Sequence, residues 1–357
     1  MSDRSEQRPA PPALPEDKPS PKLPIDVTKT HAVAEFKHDR PLTTCRIDPT
    51  GRFVFAGAED LNVYRWELAG DPKQKVTLSG HESWVRSLDC SPDSQWLYTG
   101  GYDEQVGIWR TADKQPKPLR MLKAHAGWVR WVRVSHDGRL LATCGNDNLV
   151  KVWNLPDETL VREFAGHKRH PYAVVFHPDG KRIVSFDLMG VVKEWDLDTG
   201  KELRTLDAKI MWGFDQKFRA DMGGARDMRF SPDGNVLAVA GLTKVTNAFA
   251  GTHQPMVLLI DWKTGKQLKP LGDESFSGLA WGVRFHPKGF ILGVGAPRAG
   301  NKGKLWFWKP DNVKAFHTVT LSHCGRGVDL TPDNQRLAVA QFDGVVRVYQ
   351  LTAKSES

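Results

Sequence analysis

The sequence predicts an all-β fold, a single closed ring of seven four-stranded antiparallel sheets, and three observations carry the prediction. Two neighbouring stretches, Leu78 to Arg110 (LSGHESWVRSLDCSPDSQWLYTGGYDEQVGIWR) and Leu122 to Asn154 (LKAHAGWVRWVRVSHDGRLLATCGNDNLVKVWN), repeat one pattern. Each reads as a His-bearing loop, a strand, a Ser-x-Asp turn, a second strand closing on Thr-x-Gly, a tight turn with Asp, and a third strand that reaches Trp. The pattern recurs along the chain. Cys45, Leu88, Val132, Val174, Met228, Val283 and Val328 mark one core position of each first strand, at spacings of 43, 44, 42, 54, 55 and 45 residues. Turns complete the set: PTG at 49–51, SPD at 91–93, HDG at 136–138, PDG at 178–180 and 232–234, PKG at 287–289 and PDN at 332–334. Pro or a polar residue followed by Asp-Gly supplies the backbone angles that reverse a hairpin. Seven such units form a seven-bladed β-propeller.

Taken in order, residues 1–27 open with seven prolines before Ile25 among small and charged residues. Such a segment cannot bury enough apolar surface to offset its ordering entropy, so a disordered Pro-rich tail is expected. Residues 28–351 form the propeller, and 352–357 a short C-terminal tail. Thr28 to Phe36 alternates as a strand with no nearby partner, while the last unit ends after three strands. The N-terminal strand is therefore expected to close the ring against Val345 to Gln350, which removes the exposed edges that invite aggregation. Two units carry insertions of about ten residues, the excess of their spacing over a blade's usual ~40–45 residues.

Composition excludes several classes. Hydrophobic residues make up 40% and charged residues 26%. No apolar run approaches the ~18 residues of a membrane span, and the N-terminus lacks the order of a signal peptide. Cys45, Cys90, Cys144 and Cys324 lie far apart with no Cys-x-x-Cys or Cys/His metal spacing, so unpaired thiols, no metal, no cofactor and a cytoplasmic location are expected. Residues 1–30 carry five acids and five bases, which leaves the whole net charge of +8 in the folded part. That balance suits a partner of acidic character.

These residues resemble the WD-repeat family of β-propellers, over about 320 residues from Thr28 to Leu351. The resemblance implies a buried hydrogen-bonded tetrad per blade, of a loop His, a second-strand Ser or Thr, a turn Asp and a third-strand Trp. His81, Thr99, Asp103 and Trp109 match it, as do His125, Thr143, Asp147 and Trp153. Satisfiability is the physical reason, since a buried carboxylate and imidazole need a partner for every donor. Blade 4 offers His167, Ser185 and Trp195 with Met189 in the aspartate place. Blade 1 offers His38, Asp60 and Trp66 with Ala56 in place of the hydroxyl. These Asp/His/Ser sets repeat per blade and read as structural rather than catalytic.

Function is expected elsewhere. The apolar gap of three from Val85 to Leu88, and from Val129 to Val132, implies a β-bulge that re-aims one side chain per first strand. The re-aimed column reads Thr43, Arg86, Arg130, Tyr172, Arg226, Trp281, Arg326, and in the resembled family it rims the central channel. Arg, Tyr and Trp are the residue types of binding hot spots. Trp84, Trp128, Trp131, Tyr102, Asn146 and Phe342 adjoin it. Three longer loops, 208–223, 243–255 and 296–304, should emerge on the same face, where Trp212, Phe214, Phe218, Arg219, Phe249 and Arg298 would build an aromatic and basic wall.

The sequence thus points to a non-catalytic protein–protein interaction scaffold, a monomer within a complex, whose rim grips an acidic peptide or protein. The partner-binding residues are Arg86, Arg130, Tyr172, Arg226, Trp281, Arg326, Trp84, Trp128, Tyr102, Trp212 and Phe342. A nucleic-acid surface is the alternative, since Arg with interleaved Trp suits phosphate contact and base stacking. An enzymatic or small-ligand propeller is the third reading. It lacks convergent carboxylates, G-x-S-x-G and a phosphate-cradling Gly loop.

Overall fold

The computed structural model describes residues 24–155, 157–246 and 252–354. The expected tail over 1–27 lies outside them up to Leu23, as do Phe249 and the last three residues. Seven four-stranded antiparallel sheets follow one another. Their first strands are Leu42–Ile47, Val85–Cys90, Val129–Val134, Pro171–Phe176, Asp227–Phe230, Gly278–His286 and Gly325–Leu330, and they head blades 1 to 7. Six blades are consecutive in the chain. The seventh takes its outer strand from the N-terminus, where His31–Lys37 pairs antiparallel with Val345–Gln350.

The strand starts at His31 rather than at Thr28 because of one side chain. The Asp26 carboxylate accepts from the Thr28 amide (3.0 Å) and hydroxyl (2.6 Å) and winds Val27–Lys29 into a 3-10 turn. That turn buries Val27 with the blade 6 and 7 residues Phe290 and Tyr349, and the Asp26 amide donates to the Leu351 carbonyl.

Apolar side chains gather between blades rather than in one central core. Phe36, Leu42, Trp66 and Val346 seal blade 7 against blade 1, and Phe55, Leu97 and Trp109 seal blade 1 against blade 2. One larger cluster joins blades 3, 4 and 5 through Trp131, Phe186, Val239 and their neighbours. Burial on both faces explains why the strands read as near-continuous apolar runs. The hairpin turns obey their chemistry: Gly51, Gly138, Gly180, Gly234 and Gly289 sit at positive φ, with Ser94 and Asn334 in the same place in blades 2 and 7. Ser91 accepts the Trp96 amide and donates to Asp93, which caps Gln95, and the motif recurs at Ser135, Ser231 and Thr331. Among the described residues no helix is long and apolar enough to cross a membrane.

Candidate interaction surface

The tetrads form as hydrogen-bonded sets. In blade 3, His125 Nδ1 lies 2.8 Å from Asp147, its Nε2 2.8 Å from the Thr143 hydroxyl, and Trp153 Nε1 donates to that hydroxyl at 3.0 Å. Blade 2 repeats this with His81, Asp103, Thr99 and Trp109. The carboxylate partner puts the proton on Nδ1, so the threonine hydroxyl donates to Nε2 and accepts from the indole. Burial lowers the His125 pKa and the Asp147 partnership only partly restores it. Burial raises the Asp103 carboxyl, but the His81 hydrogen bond and charge outweigh it and leave the carboxyl below its ordinary range.

Blade 4 completes its tetrad although Met189 holds the aspartate place. Met189 supplies no carboxylate, and Asp187 does: His167 Nδ1 lies 3.1 Å from Asp187, while Ser185 joins His167 (2.7 Å) and Trp195 (2.9 Å). Asp187 is two residues beyond the hydroxyl, where blades 2 and 3 carry Gly101 and Gly145. A β-carbon added at either glycine would lie 2.5 Å from the histidine ring. A carboxylate sent from that position therefore reaches the same place. In blade 1, His38 pairs with Asp60 (2.8 Å) but Trp66 Nε1 is left without a hydrogen bond, as the missing hydroxyl at Ala56 requires. Blade 6 binds its third strand through Asp273, which accepts from Lys304 (2.8 Å) and Trp306 Nε1 (2.9 Å).

The re-aimed column has a clear backbone cause. Pairing between first and second strands skips one residue at Thr43, Arg86, Arg130, Tyr172, Trp281 and Arg326. Arg226 immediately precedes the first strand of blade 5, with its amide donating to Ala240. Six of these side chains meet as alternating cations and rings. Arg130 lies 4.4 Å from the Tyr172 ring centroid, and Arg226 lies 5.3 Å from both Tyr172 and Trp281. Arg86 and Arg326 lie over Trp281 at 4.7 and 4.6 Å, and Arg326 also reaches Phe342 at 4.6 Å. Thr43 bonds inward instead, donating to the Val85 carbonyl.

A cavity of about 140 Å³ sits at this mouth, lined by Arg86, Tyr102, Arg130, Trp131, Tyr172, Arg226 and Trp281. Its charge is one-sided. Among the described residues none of Arg86, Arg130, Arg226 and Arg326 forms an ion pair with a carboxylate. Burial brings the Arg86 pKa down to about 10, Tyr102 opposes the fall, and Arg226, Arg326 and Arg130 deepen it. Burial also lowers Arg226 and Arg326, with Glu59 opposing it at the latter. Among the described residues, four N–H donors around this mouth are buried without an acceptor: Arg226 Nε, Arg326 Nε, Trp131 Nε1 and Trp281 Nε1.

The other expected residues divide. Tyr102 stacks on Trp128 (4.1 Å between centroids, 8° between planes), Arg130 lies over both, and its Nε donates to Asn146. Trp128 and Trp84 are 43% and 45% exposed, unusual for indoles beside a charged cavity. Trp212 immediately precedes a small hairpin, Gly213–Asp215 with Ala220–Met222, and its Nε1 donates to Asp221, which Arg169 also binds. Two of the long loops meet, Thr243 donating to the Ile210 carbonyl, while the entry to blade 6 touches loops on either side, Gly278 donating to His253 and Arg298 to Ser277. Sequence reasoning missed a second ring of charge deeper in the channel, three residues beyond the column: Arg46, Asp89, Arg133, Arg229, Arg284 and Asp329. Counting three residues on from each bulge would have found it. Among the described residues no three His, Cys, Asp or Glu side chains gather to hold a metal ion.

Residues 72–110, 116–154 and 158–196 match the family described as "WD domain, G-beta repeat". The chain is 26% identical over 174 residues to protein groucho of Drosophila melanogaster, 48% of this chain and 24% of that protein. It is 24% identical over 189 residues to nuclear distribution protein nudF of Emericella nidulans, 47% of this chain and 43% of that protein. It is 31% identical over 72 residues to eukaryotic translation initiation factor 3 subunit I of Pyricularia oryzae, 20% of this chain and 21% of that protein. The chain thus spans less than half the length of each of these relatives.

Proposed function

Because the chain is a WD-repeat β-propeller, we propose that it is a non-catalytic scaffold that captures a protein or peptide partner on its channel-rim face by an acidic side chain. The observation that carries this reading is the set Arg86, Arg130, Arg226 and Arg326, gathered round one opening by aromatic rings with no carboxylate in ion-pair reach among the described residues. Like charges in a desolvated place cost stability in the free protein. An acidic side chain at the mouth offsets that cost and offers acceptors to the Trp131 and Trp281 indoles. The exposed Trp84 and Trp128 then give the partner apolar area beside its charged anchor. Among the relatives, one is by its name a subunit of an initiation factor, which agrees with a place in an assembly. A cytoplasmic monomer that joins a larger complex fits the unpaired thiols and the closed ring.

The test is affinity capture from the native lysate with the wild type and with the variant Arg86→Gln, Arg130→Gln, Arg226→Gln, Arg326→Gln, alongside both melting temperatures. The expected result is a protein partner lost from the variant while its melting temperature holds or rises. Unchanged capture would sink the reading. Capture that disappears on ribonuclease treatment would replace it with nucleic-acid binding.

A further inference from the structure

The deeper ring of charge carries an inference independent of the rim. Its hydrogen-bonded part is an arc. Arg46 Nε donates to Asp89 at 2.9 Å, and its Nη1 lies 3.5 Å from Asp329. Arg284 Nε donates to Asp329 at 2.7 Å, and its Nη1 donates to Asp227. The carboxylates also take the amides of Val134, Ile47 and Val283 in the neighbouring blades. Asp89, Arg46, Asp329, Arg284 and Asp227 thus form a chain across blades 2, 1, 7, 6 and 5 in which each group has partners.

The ring opens at blade 4. Its residue at the matching position is Val175, which carries no charge, and the arginines on either side, Arg133 of blade 3 and Arg229 of blade 5, are the under-partnered ones. Arg133 comes no closer than 3.5 Å to Asp89 and 4.0 Å to Asp227, although its side chain is only 9% exposed. Arg229 Nε is 3.4 Å from Asp227 Oδ1. The Nε atoms of both are buried and make no hydrogen bond. Burial lowers the pKa of each, and after burial Arg133 is the group that most lowers Arg229. The ring holds four guanidiniums against three carboxylates, and the positive excess falls in the gap at blade 4.

The gap faces a cavity of about 490 Å³ that opens beside the first hairpin turns, lined by Pro49, Pro92, Pro178, Pro232 and His136 besides the ring residues. We propose that this lower channel binds one small oxyanion between Arg133 and Arg229, over Val175. A phosphate or carboxylate has paired oxygens to which guanidinium edges donate, an arrangement that a spherical halide lacks. Its charge closes the ring's balance, and its oxygens take the N–H groups that the protein leaves unpaired.

The experiment uses the full chain in a phosphate-free buffer, with inorganic phosphate as the probe, sodium acetate as a second oxyanion and sodium chloride at matched ionic strength. Calorimetric titration should give one phosphate per chain, and the melting temperature should climb with the logarithm of phosphate concentration above the dissociation constant. Arg229→Gln should weaken phosphate binding by about tenfold or more. Val175→Asp, which supplies the absent carboxylate in place, should abolish binding and raise the melting temperature in phosphate-free buffer. Arg130→Gln, on the rim, should bind phosphate as the wild type does, which separates this site from the partner surface. No phosphate heat and no melting shift up to about 10 mM overturns the proposal, because such a weak site contributes little stability. So does equal stabilisation by chloride, or loss of binding in Arg130→Gln with retention in Arg229→Gln. Should Val175→Asp fail to fold, the contrast between Arg229→Gln and Arg130→Gln still decides.

Discussion

The guanidinium of Arg86 lies 4.7 Å from the centroid of the Trp281 ring, although the two residues come from blades 2 and 6, across the channel from each other. Trp281 also carries Arg226 at 5.3 Å and Arg326 at 4.6 Å, so one indole gathers three of the four rim cations. A cation over a desolvated indole face gains on the order of 1–2 kcal/mol. Trp281→Leu is therefore expected to destabilise the free chain by about 2 kcal/mol and to weaken partner binding by at least about tenfold. Arg226→Gln, which relieves crowding among like charges, is expected to hold or raise stability while weakening binding as much. Urea denaturation of both variants checks the opposite signs.

Thr143 serves two partners with one hydroxyl, His125 and Trp153. Thr143→Val keeps the shape and leaves a buried imidazole nitrogen and a buried indole N–H unsatisfied, at an expected cost of about 2–4 kcal/mol. Thr143→Ser restores the hydroxyl and should recover most of that. A loss in Thr143→Ser with little or none in Thr143→Val would mean that the methyl packing, not the hydroxyl, is what matters.

Asp273 contributes a pH dependence of defined sign. Burial raises its carboxyl, but the Lys304, Ser275 and Trp306 hydrogen bonds outweigh burial and hold it at about 2. A pKa depressed in the folded state contributes stability that is complete above the unfolded value near 4 and is lost as pH falls toward about 2. Discounted for the partial exposure of the site, the contribution is about 1–2 kcal/mol. Asp273→Asn should lower stability at pH 7 by that amount and flatten the loss between pH 4 and 2. Denaturant midpoints across that window measure both effects.

The ring closure, the turn chemistry and the bulged column were legible because each rests on local rules that repeat seven times. Three-residue apolar gaps such as Val85 to Leu88 fix a bulge wherever a first strand is buried on both faces. What escaped is set by tertiary placement. That Asp89 pairs with Arg46, 43 residues away, follows from neighbouring blades presenting the same strand position to one channel, and no local pattern shows it. The loop that carries Trp212 pairs with itself into a hairpin and ties the indole to Asp221, a contact that the length of the loop does not reveal. The 3-10 turn at Val27 depends on a single Asp26 side chain that alternation does not reveal.

Blade 4 turns its departure from the tetrad pattern into a test of how a carboxylate site is filled. Asp187 reaches His167 from the strand position that Gly101 and Gly145 leave empty in blades 2 and 3, where an added β-carbon would crowd the histidine ring. The two arrangements are therefore alternatives: a glycine there with aspartate two residues on, or an aspartate there with any residue two on. Asp187→Gly alone should cost about 3 kcal/mol, since it leaves the buried His167 Nδ1 without an acceptor. Met189→Asp alone should also destabilise, by about 1–2 kcal/mol, because two carboxylates then compete for one imidazole. The double variant, Asp187→Gly with Met189→Asp, rebuilds the arrangement of blades 2 and 3 and is expected to lie within about 1 kcal/mol of the wild type, a coupling of at least about 3 kcal/mol. Additive losses in chemical denaturation would instead mean that blade 4's turn cannot present a carboxylate from position 189, and that Asp187 is fixed by its own bonds to the Met189 and Val191 amides.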